Sequence, residues 1–258
     1  MKLEPLINLL EKEFPNYNKD QLKAFVDCRE VKVDGETAVD YKQLFSSNSE
    51  VEIIHQKYVS RGGEKLEHAL KSWSLNVNNL IFVDAGSSTG GFSDALLQHG
   101  AKLVHAVDVG YNQLDYKLRT NPKVVVHERT NIMRVKTLNP TPDAAVADLS
   151  FRSIVNAADH ILSLTKQKWM VALIKPQFEL DDKRIEFTGV VEDKTLLIKI
   201  LNEVARKLTL ENVEIEKIVA SPIKGRKGNQ EFLALLKREE STINLKEIEL
   251  IIENLFLN

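Results

Sequence analysis

The sequence predicts an α/β protein: a mainly parallel sheet covered by helices on both faces, preceded by a small αβ unit. Three observations carry this. From Ser60 onward, short apolar runs alternate with stretches of helical periodicity, the pattern left by strand–helix–strand crossovers. Residues 1–57 differ in character, with short strand candidates around a tight-turn signal. The chain of 258 residues, 43% hydrophobic and 28% charged, is long enough for one full α/β domain and a small companion. It is too apolar and too varied for a disordered or collagen-like protein.

Taken in order, Leu6, Leu9, Leu10 and Phe14 fall near helical spacing, and so do Leu22, Phe25 and Val26. Val31–Val33 and Glu36–Val39 flank Asp34-Gly35, a hairpin signal, and Val51–Ile54 adds a short strand. This places a first domain at residues 1–57 and a second at 58–258, with 58–64 as a linker and 239–258 as a tail helix. In the second, Leu66, Ala69, Leu70 and Trp73 lie at i, i+3, i+4 and i+7, one face of a helix. Strand candidates follow at Leu80–Val83, Leu103–Val107, Val124–His127, Ala144–Ala147, Trp169–Ile174 and Phe232–Leu236, with helical stretches such as Phe92–Gln98 and Ile154–Leu164 between several of them. Leu245, Ile248, Ile251, Ile252 and Leu255 form an amphipathic helix suited to packing. Trp73 and Trp169 read as core, and Cys28 as a small packed residue.

Composition excludes several function classes. A single cysteine leaves no disulfide framework and no multi-cysteine metal scaffold, and the six histidines show no H-x-x-x-H spacing, so no metal is inferred. The longest apolar run, Trp169–Ile174, is far short of the ~20 residues of a membrane span. The N-terminus lacks a basic-then-apolar signal pattern, and a cytoplasmic location is expected. Net charge is −2, with −3 on residues 1–57 and +1 on the rest. Contact with a nucleic acid therefore has to come from a local basic surface.

The sharpest signal is Ile81-Phe-Val-Asp84-Ala-Gly86-Ser-Ser-Thr-Gly90-Gly91-Phe92. A strand ends at Asp84, a loop of glycines and hydroxyls follows, and a helix begins near Phe92. Glycines let a ligand approach the backbone, and amides at a helix start attract anionic groups. Asp108, 24 residues after Asp84, ends the next strand, where an acidic residue suits ribose hydroxyls. The phosphate-binding pattern G-x-x-x-x-G-K-[ST] fails because Phe92-Ser93 follow Gly91, and G-x-G-x-x-G fails because Ser88 replaces its second glycine. D-x-G-x-x-x-G-G with a downstream Asp108 resembles the first two motifs of the Rossmann-like S-adenosylmethionine-dependent methyltransferases. That resemblance implies S-adenosylmethionine as cofactor, with Asp84, Gly86, Gly90, Gly91 and Phe92 around it, Ser87, Ser88 and Thr89 on the methionine carboxylate, and Asp108 on the ribose.

Further segments narrow the resemblance. Ser60-Arg61-Gly62-Gly63-Glu64-Lys65-Leu66, Asp148-Leu-Ser-Phe, Lys175-Pro-Gln-Phe and Ser221-Pro-Ile-Lys-Gly-Arg-Lys-Gly-Asn-Gln-Glu231-Phe-Leu stand in the order found in the TlyA family. These are FtsJ-like ribosomal RNA 2′-O-methyltransferases that also carry the name haemolysin. The stretches Val107–Lys117 and Glu128–Ile132 resemble the same family, and the likeness covers residues 1–238. It implies that residues 1–57 form a small αβ RNA-binding domain of the ribosomal-protein-S4-like type. The family's Lys-Asp-Lys-Glu tetrad falls on Lys65, Asp148, Lys175 and Glu231.

The chemistry explains why such a set is needed. A ribose 2′-hydroxyl is a poor nucleophile until its proton is accepted or its developing charge is stabilised, so the protein supplies alignment and proton management. Lys175 is expected to take the proton or polarise the hydroxyl. A free lysine titrates near ~10.4, so base action needs burial or a neighbouring cation. Lys65 would supply that field, while Asp148 and Glu231 would orient the lysines and oppose it. Taken singly, each residue has an ordinary explanation: a lysine is usually a solvated charge, Asp148 would cap a turn, and Glu231 would pair with Lys227. Lys175-Pro176 after six apolar residues is harder to dismiss, because strand C-termini in such sheets face the ligand crevice.

Arg61, Lys224, Arg226 and Lys227 are the candidate RNA contacts, extended by Lys117, Arg119 and Arg129; a solvated charge cluster is the plainer alternative. The expected function is 2′-O-methylation of ribose in ribosomal RNA or ribosomal subunits, with no membrane, metal or obligate protein partner. The alternatives are a small-molecule methyltransferase, a membrane-lytic haemolysin-like protein and a non-catalytic RNA-binding factor.

Overall fold

The computed structural model describes residues 3–27, 30–54, 57–150, 153–180, 190–225, 227–238 and 245–256. Cys28, Arg226 and Phe151 lie outside the described residues. The chain divides into two compact units, Met1–Lys57 and Tyr58–Asn258.

The smaller unit runs β1 (Leu3–Pro5), α1 (Leu6–Glu13), α2 (Lys19–Asp27), β2 (Val31–Val33), β3 (Glu36–Thr37), β4 (Leu44–Ser46) and β5 (Val51–Ile53). The expected hairpin forms at Asp34 and Gly35, both at positive φ (50° and 85°), as a two-residue turn requires. The strand after it stops at Thr37 rather than Val39. Strands β3, β2 and β5 form a sheet in that order, and β1 pairs with β4. Their apolar faces meet the helices around Leu6, Leu10, Leu22, Val26, Val31 and Val33, with Tyr17 edge-on to Phe25 at 5.1 Å between ring centroids.

The larger unit continues with α3 (Gly62–Ser72), β6 (Ile81–Ala85), α4 (Gly91–Gln98), β7 (Leu103–Val107), α5 (Tyr116–Arg119), β8 (Val124–His127), β9 (Ala144–Ala147), α6 (Val155–Ser163), β10 (Trp169–Ile174), α7 (Pro176–Glu179), α8 (Lys194–Leu210), β11 (Glu214–Ala220), β12 (Phe232–Lys237) and α9 (Leu245–Asn254). Among the described residues, its sheet has the order β11-β12-β10-β9-β6-β7-β8. Strands β8, β7, β6, β9 and β10 are parallel, as expected for runs buried on both faces. Strand β12 runs antiparallel to both β10 and β11.

Two apolar layers sandwich this sheet. On one face β6, β9, β10 and β12 pack against α6, α8 and α9 through residues such as Ala158, Ile161, Leu201, Val204, Ile248 and Ile252. On the other, Leu66, Leu70, Phe92 and Leu96 of α3 and α4 close over Phe82, Val104, Val171 and Leu233. Phe82 is fully buried, a side chain worth roughly 1.5–3 kcal/mol of burial. Trp73 and Trp169 are only partly buried, Trp169 lying edge-on to Phe82 at 5.7 Å.

Residues 58–64 are not a linker. Tyr58 is buried so closely under Gly63 that a Cβ there would come within 2.2 Å of its ring. The Val59 N–H donates to the Asp94 carboxylate at 2.9 Å, and α3 already begins at Gly62. The tail helix packs on the core through Ile248 and Ile252.

Candidate active site

The parallel strands end on one edge of the sheet. The chain runs from β6 outward through β7 to β8 on one side, then crosses back from β8 to β9 on the other side of β6. A crevice opens at such a switch point, and a cavity of about 710 Å³ occupies it.

Register explains which side chains reach it. Ala85, Ala147 and Ala172 stand side by side across β6, β9 and β10, so Asp148 emerges one residue past the end of β9. Ile174 pairs with Phe232, which sets Lys175 just beyond β10 beside Glu231 just before β12. Because β12 is antiparallel, its first residue reaches the same edge as the last residues of its neighbours. Helix α3 brings Lys65 from above. All four residues line the cavity.

They form two ion pairs. The Lys65 Nζ lies 2.5 Å from Glu231 Oε2, with side chains only 11% and 4% exposed. The Lys175 Nζ lies 2.5 Å from Asp148 Oδ1, at 12% and 28%. Glu231 thus pairs with Lys65 and not with the neighbouring Lys227. Each lysine is occupied by its own carboxylate.

The glycine-bearing loop lines the cavity through Gly86, Ser87, Ser88, Thr89, Gly91 and Phe92. Gly86 takes φ +83°, and a Cβ on it would come within 2.5 Å of the Asp148 carbonyl oxygen. A Cβ on Gly91 would strike Ser60 Oγ at 2.3 Å, so the starts of α3 and α4 touch through bare backbone. Gly90 (φ +98°) caps α4 and packs on Leu114 and Leu118 away from the cavity. Within the loop, the Gly86 and Ser87 amides donate to the Val107 carbonyl, and Gly90 donates to the Ser87 carbonyl. Among the described residues, the amides of Thr89, Gly91 and Phe92 make no backbone hydrogen bond.

Asp108 is not among the cavity's lining residues. Its two carboxylate oxygens accept from the Ser88 N–H at 2.9 Å and the Gly110 N–H at 2.6 Å. It therefore fastens the loop, and each oxygen keeps one acceptor position. Asp84 is fully buried; Ser93 Oγ donates to its Oδ2 at 2.7 Å, and burial without a counter-charge raises its pKa to about 7.

Arg61 and Lys227 line the exposed side of the cavity, whereas Lys224, also exposed, does not. Arg119 is paired with Glu128 at 2.5 Å, and Arg129 stacks over Tyr111, 4.0 Å from the ring centroid. Ser60, Gly62, Ser150, Gln177, Phe178 and Asn229 also line the cavity without having been singled out as site residues. Gln177 and Phe178 follow Lys175 directly, which is the signal that marks them.

The donor set fits S-adenosylmethionine: the amides of Thr89, Gly91 and Phe92 at a helix start, with the hydroxyls of Ser87 and Thr89, all on residues lining the cavity. A model of FtsJ-like methyltransferases matches residues 58–238. The chain belongs to the FtsJ-like methyltransferase family. "Hemolysin A" of Brachyspira hyodysenteriae is 41% identical over 207 residues, 78% of this chain and 86% of that protein. The FtsJ-like chain is also 34% identical over 239 residues to the "16S/23S rRNA (cytidine-2'-O)-methyltransferase TlyA" of Mycobacterium tuberculosis, covering 90% of this chain and 89% of the relative. A solved hemolysin-named structure from Streptococcus thermophilus superposes with a TM-score of 0.72 at 34% identity, covering 99% of this chain and 98% of the other.

Proposed function

We propose that this chain is an S-adenosylmethionine-dependent enzyme that methylates a ribose 2′-hydroxyl of ribosomal RNA. The observation that carries this reading is the pair of lysine–carboxylate contacts, Lys65–Glu231 and Lys175–Asp148, in one cavity beside the glycine-bearing loop. When bound, S-adenosylmethionine supplies a methyl group already activated by its sulfonium. The free amides at Thr89, Gly91 and Phe92, with the hydroxyls of Ser87 and Thr89, would hold the methionine carboxylate. Asp108, with its remaining acceptor capacity, would take the ribose hydroxyls.

For the target hydroxyl the protein has to manage one proton and one developing negative charge. Lys175 is the group assigned to that oxygen: its own proton is first released to solvent, the resulting amine takes the hydroxyl proton as the methyl is transferred, and Asp148 holds the ammonium so formed. Lys65, fixed by Glu231, places a second ammonium on the cavity lining. The two pairs are internally neutral, so they orient without drawing phosphate into the catalytic position. Arg61 and Lys227 on the exposed side, together with Lys224 and with Arg226, which neighbours Lys227 in the sequence, are the proposed phosphate contacts. Residues 1–57 are the proposed S4-like RNA-binding domain, and a ribosomal RNA substrate corresponds to a cytoplasmic enzyme.

No helix among the described residues is long and apolar enough to cross a membrane. Methyl transfer from labelled S-adenosylmethionine to purified ribosomal subunits tests the reading, with ribose methylation mapped at the product nucleotide. Label on the base, or none on RNA, refutes it. Deleting residues 1–57 should weaken RNA binding while the remaining unit still folds and binds cofactor. Undiminished activity on subunits after the deletion would remove the RNA-binding role from that unit.

A further inference from the structure

Lys175 and Asp148 touch at 2.5 Å, yet both stand beyond the paired ends of their strands. The pairing of β10 with β9 stops at Ala172 and Ala147, and with β12 at Ile174 and Phe232. The Asp148 N–H donates to the Ala85 carbonyl at 3.0 Å. Past it, Leu149 and Ser150 make no backbone hydrogen bond among the described residues. Lys175 opens α7, a helix of one turn in which the Phe178 N–H donates to the Lys175 carbonyl at 2.8 Å. A helix that short has no stability of its own, so the setting of Lys175 depends on what holds the far end of α7.

That far end is Glu179. Its Oε1 accepts from the Ile154 N–H at 2.9 Å, and its Oε2 accepts from the Ser153 hydroxyl. Ser153 Oγ in turn accepts from the Val155 N–H at 3.2 Å. The carboxylate therefore closes the start of α6, where the helix dipole favours a negative group, and it does so from the segment that follows β10. Two ties thus join the segments after β9 and β10: Lys175 to Asp148 on the cavity lining, and Glu179 to Ser153 and Ile154 away from it.

We propose that Glu179 is a positioning residue for methyl transfer: by fastening the end of α7 to the start of α6, it sets the Lys175 nitrogen against Asp148 and within reach of the target hydroxyl. This inference rests on the ribose-methylation reading, since it gives Glu179 a role only through the Lys175–Asp148 pair. The property required is reach and not charge. Glutamine has the same length, keeps a carbonyl oxygen for the Ile154 N–H and offers an NH2 donor to Ser153 Oγ. Aspartate keeps the charge and is one methylene short of both partners.

Single-turnover methylation of saturating ribosomal subunits by the full-length protein reads the positioning, and separate titrations read cofactor and subunit affinity. Glu179→Ala should lower the rate by about 10²-fold, the scale set by a reacting group displaced by about 1 Å, with both affinities unchanged. Glu179→Gln should keep most of the rate, and Glu179→Asp should behave like the alanine variant. Because Glu179 acts through Asp148, adding Glu179→Ala to Asp148→Asn should cost much less than it costs alone. A merely structural role would not give that non-additivity. An alanine variant at the wild-type rate, an aspartate variant faster than glutamine, or losses that multiply in the double variant overturns the inference and leaves the functional reading standing. So does a loss confined to cofactor or subunit binding. If the alanine variant does not fold, the glutamine–aspartate comparison decides. Wild-type protein that puts no methyl on ribose overturns both.

Discussion

Replacing Lys175 by alanine separates catalysis from binding and from folding. The side chain is 12% exposed and its ammonium touches Asp148 at 2.5 Å. Removing it strands a carboxylate that still sees water, at 28% exposure. The stability cost should therefore be about 1–3 kcal/mol, below the roughly 3–5 kcal/mol of breaking a fully buried pair. The catalytic cost should be larger. A positioned proton transfer contributes roughly 10²–10⁴-fold, or about 3–5 kcal/mol of barrier at ~1.36 kcal/mol per decade. The assay is a single-turnover rate on saturating ribosomal subunits, which excludes product release, run beside denaturant unfolding and cofactor titration. We expect the rate to fall by that factor while both affinities stay near wild type, since the role is realised in the transition state. Lys175→Arg should fail as well, because a guanidinium does not give up its proton and so cannot accept another. An arginine variant that kept most of the rate would refute proton acceptance and leave an electrostatic role. An alanine variant that kept it would remove Lys175 from the catalytic set.

Two further substitutions test the cofactor side. Gly91→Ala puts a methyl group 2.3 Å from Ser60 Oγ and 2.9 Å from the Gly63 amide nitrogen. The starts of α3 and α4 must then part, costing roughly 1–3 kcal/mol of stability together with cofactor affinity; unchanged calorimetric affinity would show that the loop tolerates the movement. Asp108→Ala releases the Ser88 and Gly110 amides and should weaken S-adenosylmethionine binding by on the order of 1–3 kcal/mol without unfolding the protein. An unaltered Kd would take Asp108 out of the site.

Strands buried on both faces were legible because nothing interrupts them: β7, β9 and β10 coincide with the apolar runs, and so does the partly buried edge strand β8. Strand β11 was not, since Glu214, Glu216 and Lys217 break its alternation and a bulge falls between Ile215 and Lys217. It sits at the sheet edge, where charge is tolerated. Helix α8 falls between the expected elements although Leu197, Ile200, Leu201, Val204 and Leu208 carry a plain helical period. Strands β1 and β4, three residues each, are too short for any period to register. At the site, the four tetrad positions were readable and their partners were not. Lys65 meets Glu231 across 166 residues, and that pairing depends on the direction of β12, which residue pattern does not encode. The absence of Asp108 from the cavity wall has the same origin: local spacing names a residue but not the amides that occupy it.

The place of β12 in the sheet bears on how the protein matures during synthesis. Of the sheet's strands it is the last in sequence, yet it lies inside the sheet between β10 and β11. Until it leaves the ribosome, β11 has no neighbour to join, and Trp169–Ile174 presents an apolar edge able to pair with another nascent chain. Long-range pairing of this kind closes late and slowly. Glu231 arrives with the same segment, so Lys65 has no counter-charge until the sheet is complete. A nascent chain interrupted before residue 231 would thus carry the loop and three of the four polar residues and still lack the fourth. Methyl-transfer competence should switch on as the final strand docks.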